Sequence, residues 1–174
     1  MELEERVAEL ERRLAALEEA AGPARPEERA DPADGGDFWA LEGFKSRLAE
    51  AGPAAGNGGV LFTGAVRLPD GAQYDWQFGQ LTDAVLAEDW SDTADAFAAL
   101  GQPVRLRLLR EILDGHRTAA DLAGLADLGT TGQIYHHLRQ LTAAGWLHTV
   151  GRGRYEVPAG RVVPLLVMLT AARP

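Results

Sequence analysis

Residues 97–157 read FAALGQPVRLRLLREILDGHRTAADLAGLADLGTTGQIYHHLRQLTAAGWLHTVGRGRYEV. Pro103 opens a helix, where its missing N–H is no loss. Val104, Leu106, Leu108, Leu109, Ile112 and Leu113 follow at helical spacing, with Arg105, Arg107 and Arg110 among them. Gly115 ends that helix. Thr118 caps the next, Asp121 at its third position completes a capping-box start, and Leu122, Leu125 and Leu128 supply its buried side. Gly129 breaks it, and Thr130 or Thr131 caps a third helix, expected over 132–144. There Ile134, Leu138 and Leu141 fall at i, i+4 and i+7, one buried stripe. Gly145 stops the helix. Trp146–Val150 reads as a strand, Gly151-Arg152-Gly153-Arg154 as a hairpin tip with two cations, and Tyr155–Val157 as the return strand.

Three helices followed by a small hairpin form a winged helix-turn-helix, an order of elements suited to reading DNA. The residue chemistry agrees. A helix that enters the major groove needs small side chains where its backbone approaches, and Thr130, Thr131 and Gly132 supply them. Gln133 suits adenine, and Arg139 suits guanine or phosphate. Tyr135 and His136 lie on or beside the same outer face. Arg152 and Arg154 would reach phosphates or the minor groove. The bland alternative is that these polar residues only solvate a small α/β unit.

Three segments carry a more specific likeness: GQPVRLRLLREIL, TAADLAGLADLGTTGQIYHHLRQLTAAGWL and GRGRYEV. Over roughly residues 92–171 the chain resembles the ArsR-type winged-helix regulators. The resemblance implies a homodimer on a palindromic operator, with the third helix in the major groove. Founding members of that family sense metals through cysteine thiolates or His and carboxylate clusters. This chain has no Cys, and its terminal helix, expected over Arg161–Ala171, has no His, Asp or Glu. His116, His136, His137 and His148 lack a convincing ligand spacing. No metal and no cofactor is therefore expected.

Composition sets outer bounds. The 174 residues are 46% apolar, enough for a packed core in one or two small domains. No apolar run approaches the roughly 18 residues that span a membrane. The charged start from Glu2 onward leads us to expect no secretory leader. With no Cys, a cytoplasmic protein is expected. Lys45 is the only lysine, which, with many Ala and Gly, suggests a GC-rich bacterial genome. A net charge of −9 is adverse to DNA, but it is unevenly spread. Residues 1–100 hold 8 basic and 21 acidic groups, whereas 101–161 hold 8 Arg and 5 acids. The surplus of cations thus lies on the segment that would meet phosphate.

The flanks suggest dimerisation. Leu3, Val7, Leu10, Leu14 and Leu17 are spaced 4, 3, 4 and 3, a heptad seam, with Arg6 and Arg13 placed to face Glu11 and Glu18 of a parallel partner. The alternative is an amphipathic helix packed on its own domain. Val162, Leu165, Leu166 and Leu169 of the terminal helix are expected at the dimer interface.

Between the flanks, a helix over Asp37–Glu50 precedes a β-hairpin, Val60–Leu68 with Gln73–Gly79, around Pro69-Asp70-Gly71. Val60, Phe62, Val66 and Leu68 share one face, and Tyr74, Trp76 and Phe78 alternate with polar residues. Trp39, Phe62, Tyr74, Trp76, Phe78 and Trp90 are candidates for a pocket that takes a small-molecule effector; an ordinary core or a dimer interface is the alternative. No catalytic pattern emerges, and no enzyme is expected.

The fold expected is mainly α with small β elements (α+β). Its parts are a coiled-coil helix (1–21), a linker (22–36), a helix and β-hairpin (37–91), a winged helix-turn-helix (92–158) and a terminal dimerisation helix (159–174). The function expected is sequence-specific DNA binding by a homodimeric transcription regulator, answering to a non-metal effector or a protein partner. A winged-helix module that docks on a transcription component is the alternative.

Overall fold

The structure, a computed structural model, describes Val7, Arg12, Arg13 and residues 38–151 and 153–173. Leu3, Leu10, Leu14 and Leu17 of the heptad seam, the linker 22–36 and Arg152 lie outside these residues. Val7 is helical and exposed. The chain is mixed α+β, with seven α-helices and two antiparallel hairpins among the described residues. It divides into two compact units, Met1–Gly43 and Phe44–Pro174. No helix among the described residues is long and apolar enough to cross a membrane.

Helix α1 spans Trp39–Glu50. Phe44, near its middle, lies 3.1 Å from where a Cβ on Gly59 would stand, so that glycine admits the ring beside strand β1. Strands β1 (Gly59–Arg67) and β2 (Gln73–Leu81) pair antiparallel, with Phe62 opposite Phe78, Gly64 opposite Trp76 and Val66 opposite Tyr74. The expected aromatic face is therefore real. Asp70 holds the turn by accepting from the Ala72 N–H at 3.0 Å, and Gly71 takes a φ of 87°. Short helices α2 (Thr82–Ala87) and α3 (Ala94–Leu100) follow.

The helical unit comes next. Helix α4 spans Pro103–Leu113, with Pro103 in its first turn as read from the sequence. Helix α5 (Ala119–Ala123) starts at a capping box in which Thr118 and Asp121 each accept the other's backbone N–H. Helix α6 runs Thr131–Ala143, one residue earlier than expected at each end. Strands β3 (His148–Val150) and β4 (Arg154–Glu156) make the second hairpin. Trp146 and Leu147, expected in its first strand, are core residues instead, each 2% exposed. A rung between Thr118 and Arg154, with the Tyr155 N–H donating to the Arg117 carbonyl at 2.7 Å, ties β4 to the segment before α5.

One core joins these elements. Leu108, Leu122, Ile134, Leu138 and Leu141 are all 0% exposed and meet in it. Burying each such side chain stabilises by roughly 1.5–3 kcal/mol before conformational entropy is charged against it. Helix α7 (Ala159–Ala171) lies between this core and the first hairpin. It sends Val162 and Leu165 into the helical core, while Val163 meets the hairpin at Gly64. Trp146 locks the join: its Nε1–H donates to the Ala96 carbonyl at 2.9 Å, and the Arg161 guanidinium stacks 4.6 Å over its ring.

This packing corrects one expectation. Val162 and Leu165 are 0% and 1% exposed within the single chain, so they are its own core and have no surface to offer a partner. Of the four terminal-helix residues expected at an interface, Leu166 is half-buried and Leu169 is 37% exposed.

Candidate nucleic-acid interface

Helix α6 is built so that one face is held and the other is free. Gly129, at φ 88°, delivers the chain to Thr130, the N-cap. The Thr130 hydroxyl accepts from the Gln133 N–H at 3.4 Å, and Gln133 Oε1 accepts from the Thr130 N–H at 2.8 Å. Gly129 is required twice over: a Cβ there would stand 2.6 Å from Gln133 Oε1. The cap satisfies backbone donors that would otherwise be orphaned. It also engages the oxygen of Gln133, the residue expected to read adenine, and leaves its amide N–H₂ for an outside acceptor.

Beyond the cap, Thr131, Gly132, Gln133, Tyr135, His136, Arg139 and Gln140 are exposed, and Ile134, Leu138 and Leu141 are buried. The expected division of faces is thus present. Tyr135 is 47% exposed. The His136 ring sits edge-on to that of His137 at 5.5 Å. Arg139 makes no hydrogen bond or ion pair among the described residues, so its guanidinium is available. Arg154 in β4 is exposed and is likewise without an ion-pair partner among them.

The other cations of this segment are committed elsewhere, which the charge count alone did not reveal. Arg105, only 8% exposed, donates to Gln140 Oε1 and to the Ala98 carbonyl, both at 2.9 Å, and so fastens α6 to the end of α3. Arg117 pairs with Glu156 at 2.6 Å and with Asp70, linking β4 to the first hairpin's turn. Arg107 and Arg110 pair with Glu111, and Arg161 covers Trp146. Arg139 and Arg154 are therefore the uncommitted arginines among the described residues of 101–161. Asp121 stands near Arg154. Hydrogen bonding with Thr118, first with its side chain and then from its N–H to Oδ2 at 2.9 Å, holds the Asp121 carboxyl below its ordinary range.

Phe62, Tyr74, Trp76, Phe78 and Trp90, five of the six aromatic residues named as pocket candidates, do not converge. Trp39 and Trp90 are 70% and 61% exposed, and the Trp90 Nε1–H is tied to the Val85 carbonyl at 2.8 Å. Phe62 and Phe78 stack on each other at 5.7 Å. Trp76 lies against Gly160 of α7, and Tyr74 packs on the helical core. Antiparallel pairing lines four of these side chains along one strand face, and α7 covers only part of that face. The result is a row along the hairpin face.

A hollow of about 310 Å³, between α3 and the end of α6, is bordered by Asp95, Arg105 and Gln140, none of which the sequence marked as a site. The thiolate or terminal-helix ligand set that the family resemblance implies does not fit this chain: it has no Cys, and α7 carries no His, Asp or Glu. His116, set aside from its sequence spacing, has a ring nitrogen 3.5 Å from Glu111. Compared with known proteins, the chain matches no family model, no curated protein and no solved structure.

Proposed function

We propose that residues 92–158 are a winged helix-turn-helix and that the protein is a dimeric, sequence-specific DNA-binding transcription regulator of the bacterial cytoplasm. Helix α6 enters the major groove, Arg139 contacts a base edge or a phosphate, and the Arg152/Arg154 wing lies on the flanking backbone or in the minor groove. The observation that carries this reading is the two-sidedness of α6. Its inner stripe is 0% exposed, while its capped, small-residue N-terminus and the unpaired Arg139 face outward. Partner contacts come from the heptad seam at residues 3–17 and from Leu166 and Leu169. The ArsR-type resemblance supports the same architecture without its metal chemistry.

The second reading is a winged-helix module that docks on a transcription component. What favours it is the small number of uncommitted arginines, together with exposed apolar side chains such as Val60 (59%), Phe78 (48%) and Phe97 (59%). Fluorescence anisotropy of pooled genomic fragments that include the protein's own promoter, titrated against salt, separates the two. Tight, saturable binding that survives physiological salt on selected fragments supports the regulator. Weak binding on every fragment that vanishes by that salt supports the docking module.

A further inference from the structure

The end of α4 gathers three donor groups that have no part in the interface. One ligand atom from each of Glu111, Asp114 and His116 lies within 4.8 Å of the other two. The chain brings them together locally. Glu111 occupies the last turn of α4, Asp114 is its C-cap, and Gly115 at φ 110° turns the backbone so that the His116 N–H donates to the Glu111 carbonyl at 2.9 Å. Only glycine adopts that turn readily.

The two oxygens of Glu111, itself only 8% exposed, do different things. Oε1 accepts from Arg110 at 2.9 Å and lies 4.0 Å from Arg107. Oε2 accepts no hydrogen bond among the described residues and faces His116 Nδ1 at 3.5 Å. Nδ1 is fully buried and has no hydrogen-bond partner among the described residues. A charge-assisted N–H···O bond is about 2.7–2.9 Å long, so this pair is too far apart for one. The same separation matches the edge of a tetrahedron whose corners are about 2.0–2.2 Å from a central ion, which is about 3.3–3.6 Å. A buried ring nitrogen thus faces a carboxylate oxygen at a distance that suits a shared cation better than a shared proton.

We propose that Glu111 Oε2, Asp114 and His116 Nδ1 form a three-ligand site for a divalent transition ion of the Zn²⁺ kind. The adjoining cavity of about 440 Å³, bordered by Glu111, Asp114, Leu68 and Leu166, has room for water at the fourth position. One imidazole and two carboxylates are too few oxygens for Ca²⁺, and the imidazole selects Zn²⁺, Co²⁺ or Ni²⁺ over Mg²⁺. The hydrogen bond from Arg110 to Oε1 turns Oε2 toward the site, in the manner of an outer-shell partner. The positive charge of Arg107 and Arg110 also lowers the affinity below that of a closed structural site. The site uses no residue of the DNA-reading face and stands independently of the DNA-binding reading.

The test is titration of the full chain with Co²⁺, followed by visible d–d absorption and then by displacement with Zn²⁺. One equivalent per chain is expected, with bands that Zn²⁺ abolishes. Both His116→Ala and Asp114→Ala should weaken binding at least about 10-fold, and His148→Ala should leave it unchanged. Asp114 is exposed, so its variant carries the test if His116→Ala fails to fold by circular dichroism. Absence of saturable d–d absorption in the folded wild type overturns the proposal. So does undiminished binding in folded His116→Ala or in Asp114→Ala.

Discussion

Gly64 and Val163 meet where the first hairpin packs on α7, and their geometry predicts a change of sign. A Cβ on Gly64 would stand 2.7 Å from Val163 Cγ1 but 3.7 Å from Val163 Cβ. Val163 is 1% exposed and helical, so its β-branched side chain has one strongly preferred rotamer and nowhere to turn. Gly64→Ala should therefore overpack the contact at a cost of about 1–3 kcal/mol. Against this, replacing Gly by Ala within a strand recovers about 0.5–1 kcal/mol of chain entropy. The net effect in the wild type is a loss of up to about 2 kcal/mol. Val163→Ala alone removes two buried methyl groups and should cost at least about 1.5 kcal/mol at roughly 0.8 per group. In that background the added Cβ meets only another Cβ at ordinary contact distance. Gly64→Ala should then stabilise by about 0.5–1 kcal/mol. Urea denaturation followed by far-ultraviolet circular dichroism measures all four proteins. Equal destabilisation by Gly64→Ala in both backgrounds would refute the stated packing of hairpin on helix.

Four further outcomes follow from named contacts. Thr118→Ala removes one half of the capping box before α5 and should cost about 1 kcal/mol in urea denaturation; no loss would mean that the cap is dispensable. The Asp121 carboxyl is held below its ordinary value of 3.8 by Thr118, so its stabilisation is present above that value and is lost as pH falls through the lower folded value. Asp121→Asn should accordingly flatten the acid side of a Tm-against-pH curve, and superimposable curves would contradict this. Arg139→Ala should weaken binding to a selected site by about 1–3 kcal/mol if it reads a base; equal weakening on random DNA reassigns it to phosphate. Arg154→Ala should reduce the salt slope of DNA binding by about 1, and an unchanged slope removes the wing from the interface.

The helical unit was legible because its signals are local. Pro103 at a helix start, the Thr118/Asp121 cap and the stripe Ile134, Leu138, Leu141 each depend on spacing within one element, and spacing is what a sequence displays. The hairpin's faces were legible for the same reason, since alternation fixes them. Three things were not legible because they depend on what an element meets. Val162 and Leu165 read as interface residues, and only the approach of the helical core makes them interior. The aromatic residues share a face, but the placement of α7 decides how much of it is covered. The arginines of 101–161 read as a basic surface, yet Arg105 and Arg117 are spent on acceptors 35 and 39 residues away. His116 belongs with these cases. It stands five residues beyond Glu111, not a helical ligand spacing, and the turn at Gly115 alone brings the two together.

The central claim is that α6 reads the major groove as one of a pair. Methylation protection measures this directly, on a site selected from random DNA by the full-length protein, because guanine N7 lies in that groove. The account predicts two protected patches, centred about 10–10.5 base pairs apart and related by dyad symmetry, with at least one guanine in each exposed again by Arg139→Ala. Failure to enrich any sequence, or an enriched site with no protected guanine N7 in wild type, would contradict it.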